Sequence, residues 1–531
     1  MTALAGTGQL TRLALRRDRF LLPAWLLVLS VLPAGVANAY EQLYPTAAMR
    51  EPLAATVGAN PALAVLLGPA FDLSTPGGFT AWRLLGFHAV IAGLMVIFTV
   101  TRHTRAEEET ARHELLASGV IGRYAPLTAA VLVATGASAL AGLLATTLLL
   151  ATGLAAAGAL AYGAALTGSG LVFTGVAAIA AQLVAFARTS NGIATSVLGA
   201  SFLLRGLGDA SDEASWLSWL SPIGWAQRLR PFADERWWVL ALSVVASLVT
   251  LAVGYLLLGR RDAGAGFLPE RLGRAHATPS LRGPFALAWR LHRGSLIGWS
   301  IGVAISGAAF GAIALGIGDL IGDNPTMREM FVRMGGSAMV IDAFLAQIAE
   351  MFGMIGAFYG VQAALRARGE EVVTRVEPLL ATAVTRLRFM TSHLVFALVG
   401  AAIVLAAAGL GAGIAHGLRA GDVAGNASAM IGATLVHFPA IWLVVGVAAV
   451  LYGFTPRWTS SAWAVAAVVV VLALFGPVLN LAPLLIDVSP FSHVPRLPAV
   501  DVEVAPLAWL TVLAAALLAA GLAAFRRRDI G

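Results

Sequence analysis

The chain has 531 residues, of which 59% are hydrophobic and only 12% are charged, about half the charged fraction of a soluble domain, so the composition excludes a soluble globular protein. Its 35 basic residues, all arginine, outnumber 28 acidic ones, but they are spread over short loops, which does not indicate nucleic-acid binding. There is no cysteine, which excludes disulfides, thiolate metal sites and cysteine nucleophiles.

The first half of the chain predicts a surface helix followed by six membrane spans. Residues 1–19 are basic and partly amphipathic, which favours a helix that lies on the membrane surface. Apolar runs of about the length that crosses a bilayer follow at 20–39, 82–102, 124–150, 166–187, 192–208 and 237–258. A polar segment at 103–123 separates the second and third runs, and we expect it to form a charged helix.

The second half repeats this order after an Arg-, Gly- and Pro-rich linker at 263–284. Spans are predicted at 295–316, 342–364, 389–415, 429–451, 459–477 and 506–525, with a second charged helix at 366–387. The fold class is therefore an all-α polytopic membrane protein with two tandem six-helix units, 1–262 and 285–531, and about 12 spans. An even number of spans in each unit allows two units of the same orientation.

The two charged segments read almost alike, and shorter motifs repeat with them. Arg105, Glu107, Glu108, Arg112 and Glu114 align with Arg368, Glu370, Glu371, Arg375 and Glu377. The turns that contain Arg188 and Arg457 correspond to each other as well. A charged helix that occurs twice between membrane spans indicates contact with something outside the membrane, although a solvated face is the simpler alternative.

Two predictions concern the partners of these charges. Glu108 and Glu371 each lie four residues before an arginine, Arg112 or Arg375, which is the favourable order for an ion pair on a helix. The arginines that close each half, at 260–261 and 526–528, are expected to anchor the last spans at the membrane surface.

The distribution of arginine predicts the orientation. The side that carries both charged segments holds most of the 35 arginines and fewer than half of the 28 acidic residues. By the positive-inside rule, both termini, the linker and the charged helices are cytoplasmic, in a multi-pass protein of the bacterial plasma membrane.

Catalytic motifs are missing from the sequence. A phosphate-binding loop needs a lysine, and the chain has none. We find no His-Glu-x-x-His metal motif and no nucleophile elbow. The chain is therefore predicted not to be an enzyme by itself, with no catalytic residue, metal site or cofactor of its own.

These features resemble the permease of an ATP-binding-cassette exporter of the type V fold. A basic surface helix, six spans and a Glu-Glu-x-x-x-Arg-x-Glu-Leu-Leu-Ala segment between spans two and three are similar to that family. Two such units fused in one chain resemble the actinobacterial antibiotic-exporter permeases, including those associated with tetronasin and other polyketides. The resemblance covers nearly the whole chain.

The resemblance implies partners and a mechanism. A separate ATPase would bind ATP and Mg and form a homodimer beneath the permease, two copies for each chain. The charged segments would be coupling helices seated on it, with secondary contacts at Arg188 and Arg457. ATP-driven alternating access would export hydrophobic antibiotics, other drugs or lipid-like compounds, and Pro378 would make the second coupling contact unequal to the first.

An ionisable residue inside a predicted span gives a hypothesis for the cavity. Glu350 lies where a charge is costly and usually faces protein or water. The repeat places His88 opposite Met351, so we expect His88 and Glu350 to approach each other and line the translocation cavity. Gln347, Met351 and Met354 would complete that lining. The alternative is that Glu350 belongs to a structural polar pair.

Two other function classes stay open at this point. A proton-coupled secondary drug transporter would need paired carboxylates inside the membrane, and only Glu350 lies well within a span. A membrane enzyme or non-transporting scaffold would need a catalytic cluster or a large soluble domain, and neither is present.

Overall fold

The computed structural model describes residues 3–44, 50, 64–65, 67–109, 121–209, 213–262, 264–268, 276, 278–320, 336–475 and 482–529. These residues form helices, turns and loops, and none of them lies in a strand. The chain divides into two compact units, Met1–Gly273 and Arg274–Gly531. The boundary falls inside the predicted linker, 263–284.

Unit 1 has the order predicted for it, a short first helix followed by long apolar ones. Its α-helices are α1 (Thr7–Arg17), α2 (Leu21–Leu43), α3 (Pro76–His103), α4 (Arg105–Glu109), α5 (Ala125–Ala151), α6 (Ala156–Leu183), α7 (Ala187–Asp209), α8 (Pro222–Arg228) and α9 (Val239–Arg260). A 3₁₀ turn, Ser215–Leu220, precedes α8. The helix α1 packs against α5, and backbone hydrogen bonds from Gly122 and Tyr124 to residues 5 and 3 tie the start of the chain to the same place.

Unit 2 has a similar order. Its α-helices are α10 (Pro284–Leu320), α11 (Gly336–Val372), α12 (Val376–Leu380), α13 (Arg386–Ala420), α14 (Val423–Leu435), α15 (Phe438–Phe454), α16 (Ser461–Phe475), α17 (Pro483–Ile486) and α18 (Val504–Arg527). One predicted span is divided between α14 and α15. Pro439, in the first turn of α15, has no N–H to continue the ladder of α14.

Ten helical stretches among the described residues are long and apolar enough to cross a membrane. They are α2, α3, α5, α6, α9, α10, α11, α13, α14 with α15, and α18. The other two predicted spans coincide with α7, which contains Arg188 and Arg205, and with α16, whose 15 residues fall short of the ~20 needed. The structure therefore confirms the fold class, and the number of 12 spans stays a prediction.

The second charged segment, 366–387, is not one helix as predicted. The span helix α11 runs on to Val372, and Thr374 then adopts the left-handed region with φ 58°. The short helix α12 begins two residues later and carries Pro378 in its first turn. Proline is tolerated there, because the N–H groups of the first turn make no hydrogen bond within the helix. In the first segment, α3 ends at His103 and α4 covers Arg105–Glu109, while residues 110–120 lie outside the described part.

Close backbone contact holds α5 to α6 in unit 1. A Cβ atom built on Gly142 would overlap the carbonyl oxygen of Gly163, and the reverse holds as well. Thr146 adds a 3.1 Å hydrogen bond from its hydroxyl to the carbonyl of Ala159. Since lipid is as apolar as a helix surface, close packing and hydrogen bonds, rather than the hydrophobic effect, stabilise such contacts.

Gly142→Val should therefore destabilise unit 1, because the added side chain must push α5 away from α6. We expect the free energy of unfolding to fall by about 1–3 kcal/mol, measured as a lower thermal midpoint in detergent. Gly136→Val is the matched control, since Gly136 lies on the same helix and a Cβ atom there meets nothing within 4 Å. Equal midpoints for the two variants would contradict the close contact.

Candidate functional site

Ion pairs join α4 to the end of α9 in unit 1, and we call this region, with Arg105, Glu108 and Arg261, the charged end of the unit. It is built around one carboxylate, that of Glu108. Its Oε2 atom lies 2.8 Å from Nη1 of Arg105, and its Oε1 atom lies 2.7 Å from Nη2 of Arg261. Thr104 ends α3 with φ −121° and ψ −86°, and this break lets α4 turn Glu108 toward Arg261, the residue that follows α9. Arg105 is fully buried and Arg261 is 6% exposed, so both charges are compensated inside the protein.

The same two arginines also bind backbone and amide oxygens. Arg105 donates from Nε to the carbonyl of Ala181 and from Nη2 to the carbonyl of Ala265, the latter at 3.0 Å. Arg261 donates from Nε to Oε1 of Gln182 at 2.7 Å. The last carbonyls of a helix have no hydrogen-bond donor within the helix. Arg105 supplies such a donor to the carbonyl of Ala181 at the end of α6.

Unit 2 has the same arrangement around Glu371. Nη1 of Arg368 lies 3.0 Å from Oε1 of Glu371, and Nη2 of Arg528 lies 2.6 Å from the same oxygen. Arg528 follows α18 as Arg261 follows α9, and its Nη1 atom donates to the carbonyl of Tyr452 at 2.7 Å. The repeat in the sequence is therefore also a repeat of contacts.

Further ion pairs of unit 1 join α1 to the same end. Nη1 of Arg17 donates to Oε1 of Glu107, and this hydrogen bond raises the pKa of the Arg17 guanidinium. Asp18, which is fully buried, accepts a 2.6 Å hydrogen bond from Nε2 of His103 and lies 3.3 Å from Nε of Arg102. The helix α1 is thus fixed to the end of α3.

Two expectations about these charges are wrong. The predicted pair between Glu371 and Arg375 does not form, because the left-handed Thr374 ends the helical spacing; Arg375 lies instead 3.6 Å from Glu370, which Arg366 also approaches to 3.1 Å. Arg261 and Arg528 are not merely surface anchors, since both turn inward to a carboxylate. Of the first segment, Arg112 and Glu114 lie outside the described residues.

Other predicted contact residues do face outward, and apolar neighbours accompany them. Arg188, Arg375, Glu377 and Arg457 are exposed. Four large apolar side chains lie within three residues of an exposed arginine and are 55–68% exposed: Val372, Val373, Phe454 and Trp458. Sequence reasoning missed these four, because it looked for charge; an apolar residue inside a polar turn was the available signal.

Three of the five residues predicted to line a cavity, His88, Glu350 and Met354, are buried within their own units. His88 is buried in unit 1, and its Nδ1 atom lies 2.9 Å from the hydroxyl of Tyr162. Glu350 is 4% exposed, and Nε of Arg496 lies 3.3 Å from its Oε2 atom. Met354 belongs to the packed core of unit 2, Met351 is half-buried and Gln347 is exposed.

The described residues contain no group of three or more His, Asp or Glu side chains that could hold a metal ion. A cavity of about 330 Å³ opens beside Glu108, lined by Arg123, Gln182, Arg261 and Asp262 among others. The predicted approach of His88 to Glu350 joins two different units and stays a prediction.

Comparison with known proteins extends over both units. A family model described as the C-terminal domain of the multidrug efflux system permease Rv1217c matches residues 281–526. The chain is 45% identical over 526 residues to the multidrug efflux system permease protein Rv1217c of Mycobacterium tuberculosis H37Rv. That similarity covers 99% of this chain and 95% of the relative.

The contact between Glu350 and Arg496 is tested by a double-mutant cycle. We expect Glu350→Gln and Arg496→Gln each to lower the thermal midpoint, and the two together to cost less than the sum. The coupling should be about 0.5–1 kcal/mol, because the Arg496 side chain is 61% exposed and water screens the pair. Additive effects would mean that the two side chains do not act together.

Proposed function

This chain belongs to the family of multidrug efflux system permeases, and we propose that it is the translocating subunit of an exporter of the ATP-binding-cassette type. It is a multi-pass protein of the bacterial cell membrane and a transport component rather than an enzyme. The observation that carries the proposal is the full-length similarity to a drug-efflux permease, together with a charged end that occurs once in each unit.

The energy source is the first part of the proposal. A chain without lysine has no phosphate-binding loop, so ATP and Mg are bound by a separate ATPase. Two charged ends in one chain favour two copies of that ATPase, acting as a homodimer. Closure of the dimer would move the charged segments and switch the permease between inward- and outward-facing states, in the type V fold.

The surface on which the ATPase would dock in unit 2 is the exposed turn with Phe454, Arg457 and Trp458. This docking surface combines charge with exposed apolar area. Interfaces between proteins favour aromatic anchors surrounded by polar groups, and Trp458 lies beside Arg457 in such a setting. In unit 1, Arg188 and Phe186 are exposed, and the backbone N–H of Ala187 donates to Glu109 at 3.1 Å, which joins this turn to α4. By the positive-inside rule these surfaces and both termini are cytoplasmic.

The cargo is proposed to be a hydrophobic or amphipathic compound, such as a polyketide antibiotic of the tetronasin type. An apolar protein binds such compounds mainly by desolvation, with few fixed polar groups. A cavity lined by His88, Gln347, Glu350, Met351 and Met354 remains part of this proposal. The alternative, a proton-coupled transporter, is less favoured, because the carboxylate of Glu350 already has a cation beside it.

The energy source is tested by reconstitution. In proteoliposomes that contain the chain and its ATPase, transport of a hydrophobic fluorescent drug should require ATP and continue after an ionophore collapses the proton gradient. Transport by the chain alone that an ionophore abolishes would instead establish the proton-coupled alternative.

The docking surface is tested by co-purification with the ATPase in mild detergent. Trp458→Ser should lower the affinity for the ATPase about tenfold or more, since a buried aromatic anchor carries a large share of interface energy. Trp216→Ser is the matched control, because Trp216 is 61% exposed, against 68% for Trp458, but lies in the turn before α8. Equal loss in both variants would contradict a docking role for Trp458.

A further inference from the structure

Arg261, which follows the last span of unit 1, is fastened to both ends of the charged segment, 103–123. Near the start of the segment, Glu108 binds the guanidinium of Arg261. At the end of the segment, Nη2 of Arg123 donates to the carbonyl of Arg261 at 2.8 Å and to that of Leu258 at 3.0 Å. The end of α9 is therefore held by residues from both ends of the segment.

Unit 2 fastens the end of α18 in the same way. Glu371 binds the guanidinium of Arg528, and Nη1 of Arg386 donates to the carbonyl of Arg528 at 2.6 Å. Other contacts of the two ends differ: Glu107 pairs with Arg17 in unit 1, whereas Glu370 pairs with Arg366 and Arg375 in unit 2. The two units share the fastening of the last span and the pair that Arg105 or Arg368 makes with the same glutamate.

These contacts are expensive to break. The last carbonyls of α9 and α18 have no helical partners, and arginine donors there satisfy them and complement the helix dipole. The side chain of Glu108 is only 11% exposed. Separating it from Arg261 would remove one of the two cations that neutralise this carboxylate. Breaking a buried pair is strongly unfavourable, so the end of α9 follows α4 when α4 moves.

We propose that Glu108 with Arg261 and Arg123, and Glu371 with Arg528 and Arg386, act as two clamps. Each clamp makes the last span of its unit move with the charged segment during the transport cycle, and it stays closed throughout. The clamp residues are positioning residues, since they act on the span and not on the cargo. This inference rests on the proposed function in one respect, that an ATPase moves the segments.

The experiment replaces each ion pair by a removable covalent link. The chain contains no cysteine, so E108C with R261C, and separately E371C with R528C, introduce the only thiols. Because each pair spans two long side chains, a short bifunctional thiosulfonate reagent is used in place of a direct disulfide. Drug efflux and drug-stimulated ATP hydrolysis are measured before linking, after linking and after reduction.

The open clamp should uncouple hydrolysis from transport. Before linking, we expect efflux to fall about tenfold while ATP hydrolysis persists, and we expect the link to restore efflux and reduction to abolish it again. R260C and R527C are matched controls, since these neighbouring arginines are exposed and should leave efflux at the wild-type rate.

Two results would overturn the proposal. One is wild-type efflux by the unlinked cysteine pairs, which would mean that no fastening is needed. The other is a linked protein, present in the membrane at the normal amount, that stays inactive, which would mean that the contact has to open. If the cysteine pairs do not accumulate, Glu108→Gln keeps the shape of the side chain, and wild-type efflux by that variant overturns the proposal as well.

Failure of the proposed function gives a different result. If the wild-type chain exports drug with no ATPase present, the ATP-driven mechanism is wrong. The comparison of linked and unlinked efflux still tests the clamps in that case, because efflux is measured whatever its energy source.

Discussion

A carboxylate shared between two arginines holds the charged end of each unit together. In unit 1 it is Glu108, between Arg105 and Arg261, and in unit 2 it is Glu371, between Arg368 and Arg528. A buried charge is tolerated only when it is paired and hydrogen-bonded, so neither end can be rearranged one residue at a time. The ends of the neighbouring helices are hydrogen-bonded to the same arginines and depend on the same charges.

Much of the fold was predictable because a bilayer dictates helix length. The apolar runs gave the fold class, and the repeated motif located the charged ends. Boundaries were less certain: α3 begins at Pro76 rather than 82, because the hydroxyl of Thr75 caps it by accepting from the N–H of Gly78 at 3.1 Å. The preference for threonine at the N-cap of a helix would have indicated this start, whereas the length of the apolar run does not.

The ion pairs of the candidate site were not predictable from local spacing. Helical spacing pointed from Glu371 to Arg375, four residues away, whereas its partner Arg528 lies 157 residues along the chain. Only the repeat carried a hint, since Arg-Arg-Asp follows the last span of both halves. The inward direction of these glutamates also changes how the repeat is understood. A motif can recur because each unit needs it for its own ion pairs, and exposed residues such as Trp458 are the ones that we propose to meet a partner.

The first residues of the linker are still bound to unit 1. The backbone N–H groups of Phe267 and Leu268 donate to the carbonyls of Gln182 and Leu183 at 2.9 Å, and the clamp partners of unit 2 all lie beyond residue 360. A polypeptide divided just after residue 268 would therefore separate no clamp from its own arginines. Each half of the chain therefore contains all the residues that its own charged end needs for these ion pairs.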